Sequence, residues 1–116
     1  MSETILYPII AIVAFIIYKK YTQNKVLKLV PSLLKQGGQI IDVRTKDEFT
    51  LSNTSSSINI PLESLKKRMN ELDNTKPIIL CCASGSRSAL ARRLLLAKGF
   101  KNVYNAGSWR SLIKYQ

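Results

Sequence analysis

The hydrophobic positions of this chain fall into two regimes. From Thr4 to Tyr18 the sequence TILYPIIAIVAFIIY carries no charge, and Lys19 and Lys20 close it. As a helix it is about 22 Å long, short of a hydrocarbon core of about 30 Å. Met1 to Glu3 at one end, and snorkelling by Lys19, Lys20 and Tyr21 at the other, bring it nearer. Pro8 falls in the first turns, where a helix tolerates proline best. A cleaved signal peptide needs a basic start and a small-residue cleavage site. Here the start carries Glu3, and Tyr18-Lys19-Lys20 is no such site. A buried core helix would show a polar face, and this stretch has none. The pattern predicts a single-pass membrane anchor with a basic flank over residues 1–25. The positive-inside rule places Lys19, Lys20, Lys25 and Lys28, and the domain behind them, in the cytoplasm.

After a short polar connector the second regime begins. Val26, Leu27, Leu29, Val30, Leu33 and Leu34 recur at helical spacing, with Pro31 placed to open a new helix and Gly37-Gly38 to end it. Gln39 to Val43 is a β-branched run, a buried strand. Thr45 followed by Glu48 has the form of a capping box for a brief helix. Leu51 to Ser57 reads as a loop, Ile58 to Ile60 as a short strand. Pro61 starts a helix with Leu62, Leu65, Met69 and Leu72 on one stripe. Ile78 to Cys81 is a buried strand, Ala83 to Ser86 a small-residue turn, and Ser88 to Lys98 a helix capped by Gly99. Asn102 to Tyr104 is the last strand, and a short helix with Trp109, Leu112 and Ile113 follows. The alternation predicts one α/β domain over residues 26–116, a mainly parallel central sheet flanked by helices.

Composition narrows the chemistry. Eighteen Lys and Arg against seven Asp and Glu give a net charge of +11. Such a field attracts anions: nucleic acid, acidic headgroups or small oxyanions. The basic residues are scattered, with only Lys66-Lys67-Arg68 and Arg92-Arg93 as short runs, and no basic and aromatic interleaving that would favour nucleic acid. A solvated face beside an anionic membrane is the simpler account. Histidine is absent. That excludes a Ser-His-Asp triad and histidine-ligated metal, so any nucleophile is activated without imidazole. The two cysteines, Cys81 and Cys82, are adjacent, which is neither a disulfide framework nor metal-ligand spacing. No metal or cofactor is expected.

In an open α/β sheet, ligands bind beyond the carboxyl ends of strands. Cys82-Ala83-Ser84-Gly85-Ser86-Arg87-Ser88 follows a strand and opens a helix. Its small residues let backbone N–H groups turn inward as an anion nest, the helix start adds positive potential, and Arg87 adds a permanent cation. Together these favour a Cys82 thiolate, the reactive form, with no general base.

These residues also match a family. IIDVRTKDEF, INIPL, IILCCASGSRSALARRLL and GFKNVYNAGSW, in that order, resemble the rhodanese homology domain, with its Asp-Val-Arg strand end, Asn-Ile-Pro-Leu segment, Cys-x-x-Gly-x-Arg-Ser loop and Gly-Phe-x-x-Val ending. The resemblance covers roughly residues 28–112. It implies a thiosulfate sulfurtransferase. Cys82 attacks the sulfane sulfur of a donor such as thiosulfate and becomes a persulfide, cradled by the N–H groups of Ala83 to Ser88. Cyanide, a small thiol or a protein acceptor then takes the sulfur. Arg87 would hold the anionic donor, and Ser84, Ser86 and Ser88 would hydrogen-bond the persulfide or donor oxygens. Gly85 gives the loop its turn.

The chain departs from the family where Gly-His-Ile-x-Gly-Ala usually precedes the Asn-Ile-Pro. Here Asn53 to Ile58 reads NTSSSI. Two other readings compete. One is a non-enzymatic sulfur-relay or docking module at the membrane. The other uses Cys81, whose five-residue separation from Arg87 matches the loop of tyrosine phosphatases, Cdc25-type phosphatases and arsenate reductases. Asp42, Arg44 and Trp109 are expected to be structural, and Arg92-Arg93 a solvated face.

Overall fold

A computed structural model describes residues 2–115. Helix α1 (Glu3–Lys35) is followed by β1 (Gln39–Asp42), α2 (Lys46–Leu51), β2 (Ser57–Asn59), α3 (Leu65–Arg68), β3 (Ile78–Cys82), α4 (Ser86–Ala97) and β4 (Val103–Ser108). The four strands form one sheet in the order β2-β1-β3-β4, and every pairing is parallel. The mainly parallel sheet expected from the alternation is thus wholly parallel.

Side chains alternate across each strand, so the sheet has two buried faces. Ile41, Val43, Ile78, Leu80 and Cys82 pack with Leu65 of α3 and with Ala91 and Leu95 of α4. Ile40, Ile79 and Cys81 pack on the other face with Val30 and Leu33 of α1 and with Trp109 and Leu112. The adjacent cysteines therefore belong to opposite cores.

Several boundaries differ from expectation. Pro31 does not open a new helix, because α1 runs unbroken through it. A proline removes one N–H and crowds the preceding turn, but packing of Val30 and Leu33 on the sheet holds this helix together. Residues 25 and 26 accordingly lie within one continuous helix. The segment after Pro61 is three short pieces, with 3-10 turns at Leu62–Ser64 and Met69–Glu71 on either side of α3. Helix α4 begins at Ser86, two residues early, and β3 extends to Cys82. Strand β4 runs on to Ser108, and Trp109–Tyr115 is 3-10 rather than α. The capping box at Thr45 forms in full, with Thr45 Oγ1 accepting from the Glu48 N–H and Glu48 Oε1 from the Thr45 N–H.

α1 runs opposite to the strands. Its C-terminal end turns into β1, where the Gly38 N–H bonds the Leu33 carbonyl. Twelve residues back, Gln23 lies against Ser84 and Gly107, beyond the carboxyl ends of β3 and β4. The apolar part of α1 therefore projects from the end of the domain that carries the Cys82 loop. Among the described residues it is the one helix long and apolar enough to cross a membrane, and none of its apolar window is buried.

Candidate active site

Strand β1 pairs with β2 on one side and β3 on the other. The chain leaves these neighbours in opposite directions, which opens a crevice at the carboxyl ends between them. Cys82 is the last residue of β3, at that crevice. Between β3 and β4 the register slips: Leu80 pairs with Asn105 but Cys82 with Ser108. The bulge puts an extra residue into β4 beside the loop, a device that re-aims side chains near sites.

The Cys82 sulfur is buried and held from several sides. The Gly85 N–H donates to Sγ at 2.9 Å, and Ser88 Oγ lies 3.4 Å away. Burial pushes the Cys82 thiol up. The Ser88 hydroxyl and the backbone N–H groups of Ser88, Gly85 and Ser84 outweigh it and hold the thiol below its ordinary range. Ser88 has one hydroxyl hydrogen and two claimants, since Oγ also lies 2.7 Å from Asn105 Oδ1 as its donor. To serve a thiolate, the hydroxyl would turn that hydrogen from Asn105 to sulfur. Ser88→Ala should therefore move the pH midpoint of Cys82 alkylation upward and slow alkylation at pH 7 by about tenfold, the worth of one bond to a charged group. An unchanged midpoint would show that the backbone donors suffice.

Cys81 is the opposite case. It is fully buried on the α1 face, and burial, followed by the charge of Asp42, drives its thiol far above the ordinary range. Its side chain is turned away from the loop, so the five-residue spacing to Arg87 does not bring the two groups to one site.

Arg87 is not a free cation over the sulfur. Its Nη1 and Nη2 grip Glu48 Oε1 and Oε2 at 2.6 and 3.0 Å, tying α4 to α2. The Arg87 guanidinium, with the Thr45 N–H, lowers the Glu48 carboxyl from 4.5 to about 2. Because the folded value is depressed, the pair's contribution is fully present above about pH 4.5 and is lost progressively as pH falls from there through about 2. Arg87 also borders a cleft of about 220 Å³ lined by Val43, Thr45, Pro61, Leu62 and Glu63. Ser84 and Ser86 lie 3.3 Å apart, hydroxyl to hydroxyl, on the exposed rim.

Three contributors escape a reading along the chain. Glu48 was visible only as a capping residue. Asn105, raised by the bulge, donates from Nδ2 to the Gly85 carbonyl at 3.0 Å and accepts from the Gly107 N–H at 3.0 Å. Gln23 reaches the Ser84 carbonyl from α1. Asp42 and Arg44 form a buried ion pair with Asn59 Nδ2 bonded to both their carbonyls, and Arg44 lies 4.5 Å over the Trp109 ring. Arg92 is not wholly solvated: its Nε donates to the Val103 carbonyl. No group of metal-ligating residues is found among the described residues.

Comparison with known proteins agrees with this fold. The family model of the rhodanese-like domain matches residues 26–112. The chain is 37% identical over 112 residues to the protein YqhL of Bacillus subtilis, covering 90% of this chain and 87% of that one. It is 29% identical over 84 residues to the thiosulfate sulfurtransferase GlpE of Pseudomonas syringae, covering 69% and 79%. Among solved structures, a rhodanese with anions from E. coli superposes with a TM-score of 0.60 at 29% identity, covering 64% of this chain and 89% of that one. The match over residues 26–112 and the shared fold show that this chain belongs to the rhodanese-like family.

Proposed function

We propose that the chain is a sulfurtransferase working through a Cys82 persulfide. The observation that carries this is the Cys82 sulfur at the switch point, with the Gly85 N–H at 2.9 Å and no histidine in the chain. The thiolate attacks the outer sulfur of thiosulfate. The new S–S bond forms as the donor's S–S bond breaks, and sulfite leaves with the bonding pair. Cyanide or a thiolate then attacks the outer sulfur of the persulfide, and Cys82 leaves as thiolate. The N–H groups of Ser84, Gly85 and Ser88 lie toward the sulfur where the extra negative charge would sit at each stage. Arg87 borders the cleft where an anionic donor would enter, and a donor would draw on its charge in competition with Glu48. Donor and acceptor are small molecules, with a protein acceptor also compatible with an exposed rim.

The full chain in detergent, treated with thiosulfate, should gain about 32 mass units on the Cys82 peptide and lose them to cyanide as thiocyanate. It should neither hydrolyse p-nitrophenyl phosphate nor reduce arsenate. Persulfide formation without turnover would favour the sulfur-relay reading, and no adduct at all would end both.

The same proposal places the apolar part of α1 in a bilayer. It is apolar on every face, exposed, and closed by Lys19 and Lys20. Lys20 is about 5 Å along the helix from Gln23, so the catalytic loop would lie just under the headgroups, on the cytoplasmic side. A membrane-impermeant maleimide should label Ser2→Cys in intact cells and Leu51→Cys only after lysis. Labelling of Leu51→Cys in intact cells would reverse the sidedness.

A further inference from the structure

The anchor helix does more than lead into the domain. Gln23 Nε2 donates to the Ser84 carbonyl at 3.4 Å, between residues 61 positions apart. That carbonyl and the Gly85 N–H belong to one peptide unit. In a trans peptide the two point in opposite directions. The N–H end is the donor that meets Cys82 Sγ at 2.9 Å. A single peptide plane is thus gripped by the anchor at one edge and aimed at the sulfur by the other.

The fit around Gln23 is close. Gly85 and Gly107 have φ of +101° and +83°. A Cβ on Gly107 would come within 2.7 Å of Gln23 Cδ, and one on Gly85 would overlap Nε2. The two glycines make the trough in which the amide lies. Asn105 fixes the next carbonyl, that of Gly85, from β4. The Ser84 carbonyl has Gln23 as its side-chain donor.

We propose that Gln23 is a positioning residue of the catalytic site, holding the Ser84–Gly85 peptide so that its N–H points at Cys82 Sγ and tying the sulfur's surroundings to the anchor helix. This rests on the reading of Cys82 as the sulfur-bearing nucleophile. Without the Gln23 donor the peptide can rotate, because Gly85 tolerates conformations that other residues resist. The Gly85 N–H then leaves the sulfur. A donor at the carbonyl also polarises the peptide and strengthens the N–H on its far side. The bond matters most to the anionic forms, thiolate and persulfide.

The test uses the full chain in detergent or nanodiscs and follows iodoacetamide alkylation of Cys82 against pH, with the modified peptide located by mass spectrometry. Gln23→Met keeps the length of the side chain and fills the trough but cannot donate. It should shift the alkylation midpoint to higher pH and slow the reaction at pH 7 by about fivefold, the worth of one hydrogen bond. Asn24→Met, on the exposed side of the same helix, should leave the profile unchanged. A wild-type profile in Gln23→Met would overturn the proposal. If that variant folds poorly, the Gly85 amide proton in its folded fraction decides: an upfield move supports loss of the N–H···S bond, and an unmoved resonance overturns it. A shifted profile in a chain whose wild type transfers no sulfur would sink the sulfurtransferase reading alone. Normal transfer by wild type with an unshifted Gln23→Met profile would sink the role of Gln23 alone.

Discussion

Cys82→Ser is expected to reduce thiosulfate:cyanide sulfur transfer to the uncatalysed background and to remove the persulfide adduct, whereas Cys81→Ala retains most of both. The two thiols are neighbours in sequence and strangers in space. Cys82 faces the loop donors, which hold its thiol below the ordinary range. Cys81 faces Val30, Leu33 and Trp109, where burial suppresses its ionisation. Serine at position 82 keeps the shape, but a hydroxyl neither ionises near neutral pH nor carries a sulfane sulfur. Alanine at position 81 removes one sulfur from a buried site and costs stability rather than chemistry. Thiocyanate release and the mass of the Cys82 peptide check both variants. Sulfur transfer retained by Cys82→Ser would end the assignment of the nucleophile.

The largest effect on stability is expected from Asp42→Ala. Asp42 is fully buried at the end of β1 and accepts from the Arg44 side chain and backbone N–H. Arg44 in turn donates to the Ser52 carbonyl and stacks on Trp109. The pair thus joins the end of β1, the loop after α2 and the segment after β4. Removing the carboxylate leaves a guanidinium charge buried without its partner, at a cost of about 3–5 kcal/mol. For a domain of this size that is a fall of about 15 °C or more in Tm. Trp109 is the only tryptophan, so its fluorescence follows the transition. Asp42→Asn, which keeps an acceptor for Arg44, should fall less. A drop of under about 5 °C in Asp42→Ala would mean that Ser52 and Trp109 carry Arg44 without help.

Much of the fold was legible along the chain because it rests on local periodicity. The runs at Gln39–Val43 and Ile78–Cys81 read as buried strands, and both lie in the sheet. The Thr45 and Glu48 capping box was readable because it spans only three residues. Where boundaries failed, packing overrode local preference. Pro31 signals a break, but the apolar face shared by Val30 and Leu33 is worth more when it lies on the sheet. The last strand reads as ending at Tyr104, yet β4 takes up a bulge and continues to Ser108.

The Cys82 loop was legible for the same reason as the strands: thiol, turn and helix start are contiguous, and all three lie where residue type and order put them. Gln23, Glu48 and Asn105 were not, since each reaches the loop across a long stretch of sequence. Arg87 shows the difference most sharply. Its charge was evident from the sequence, but its engagement with Glu48 depends on how α2 and α4 pack. The choice between Cys81 and Cys82 divides the same way. Sequence by itself determined that a thiol stands at the end of a buried strand, before a small-residue loop and a helix start, in a chain with no histidine. The tertiary structure decided which thiol has polar donors and which has only core, because a strand sends successive side chains to opposite faces and only the sheet's neighbours give those faces their character.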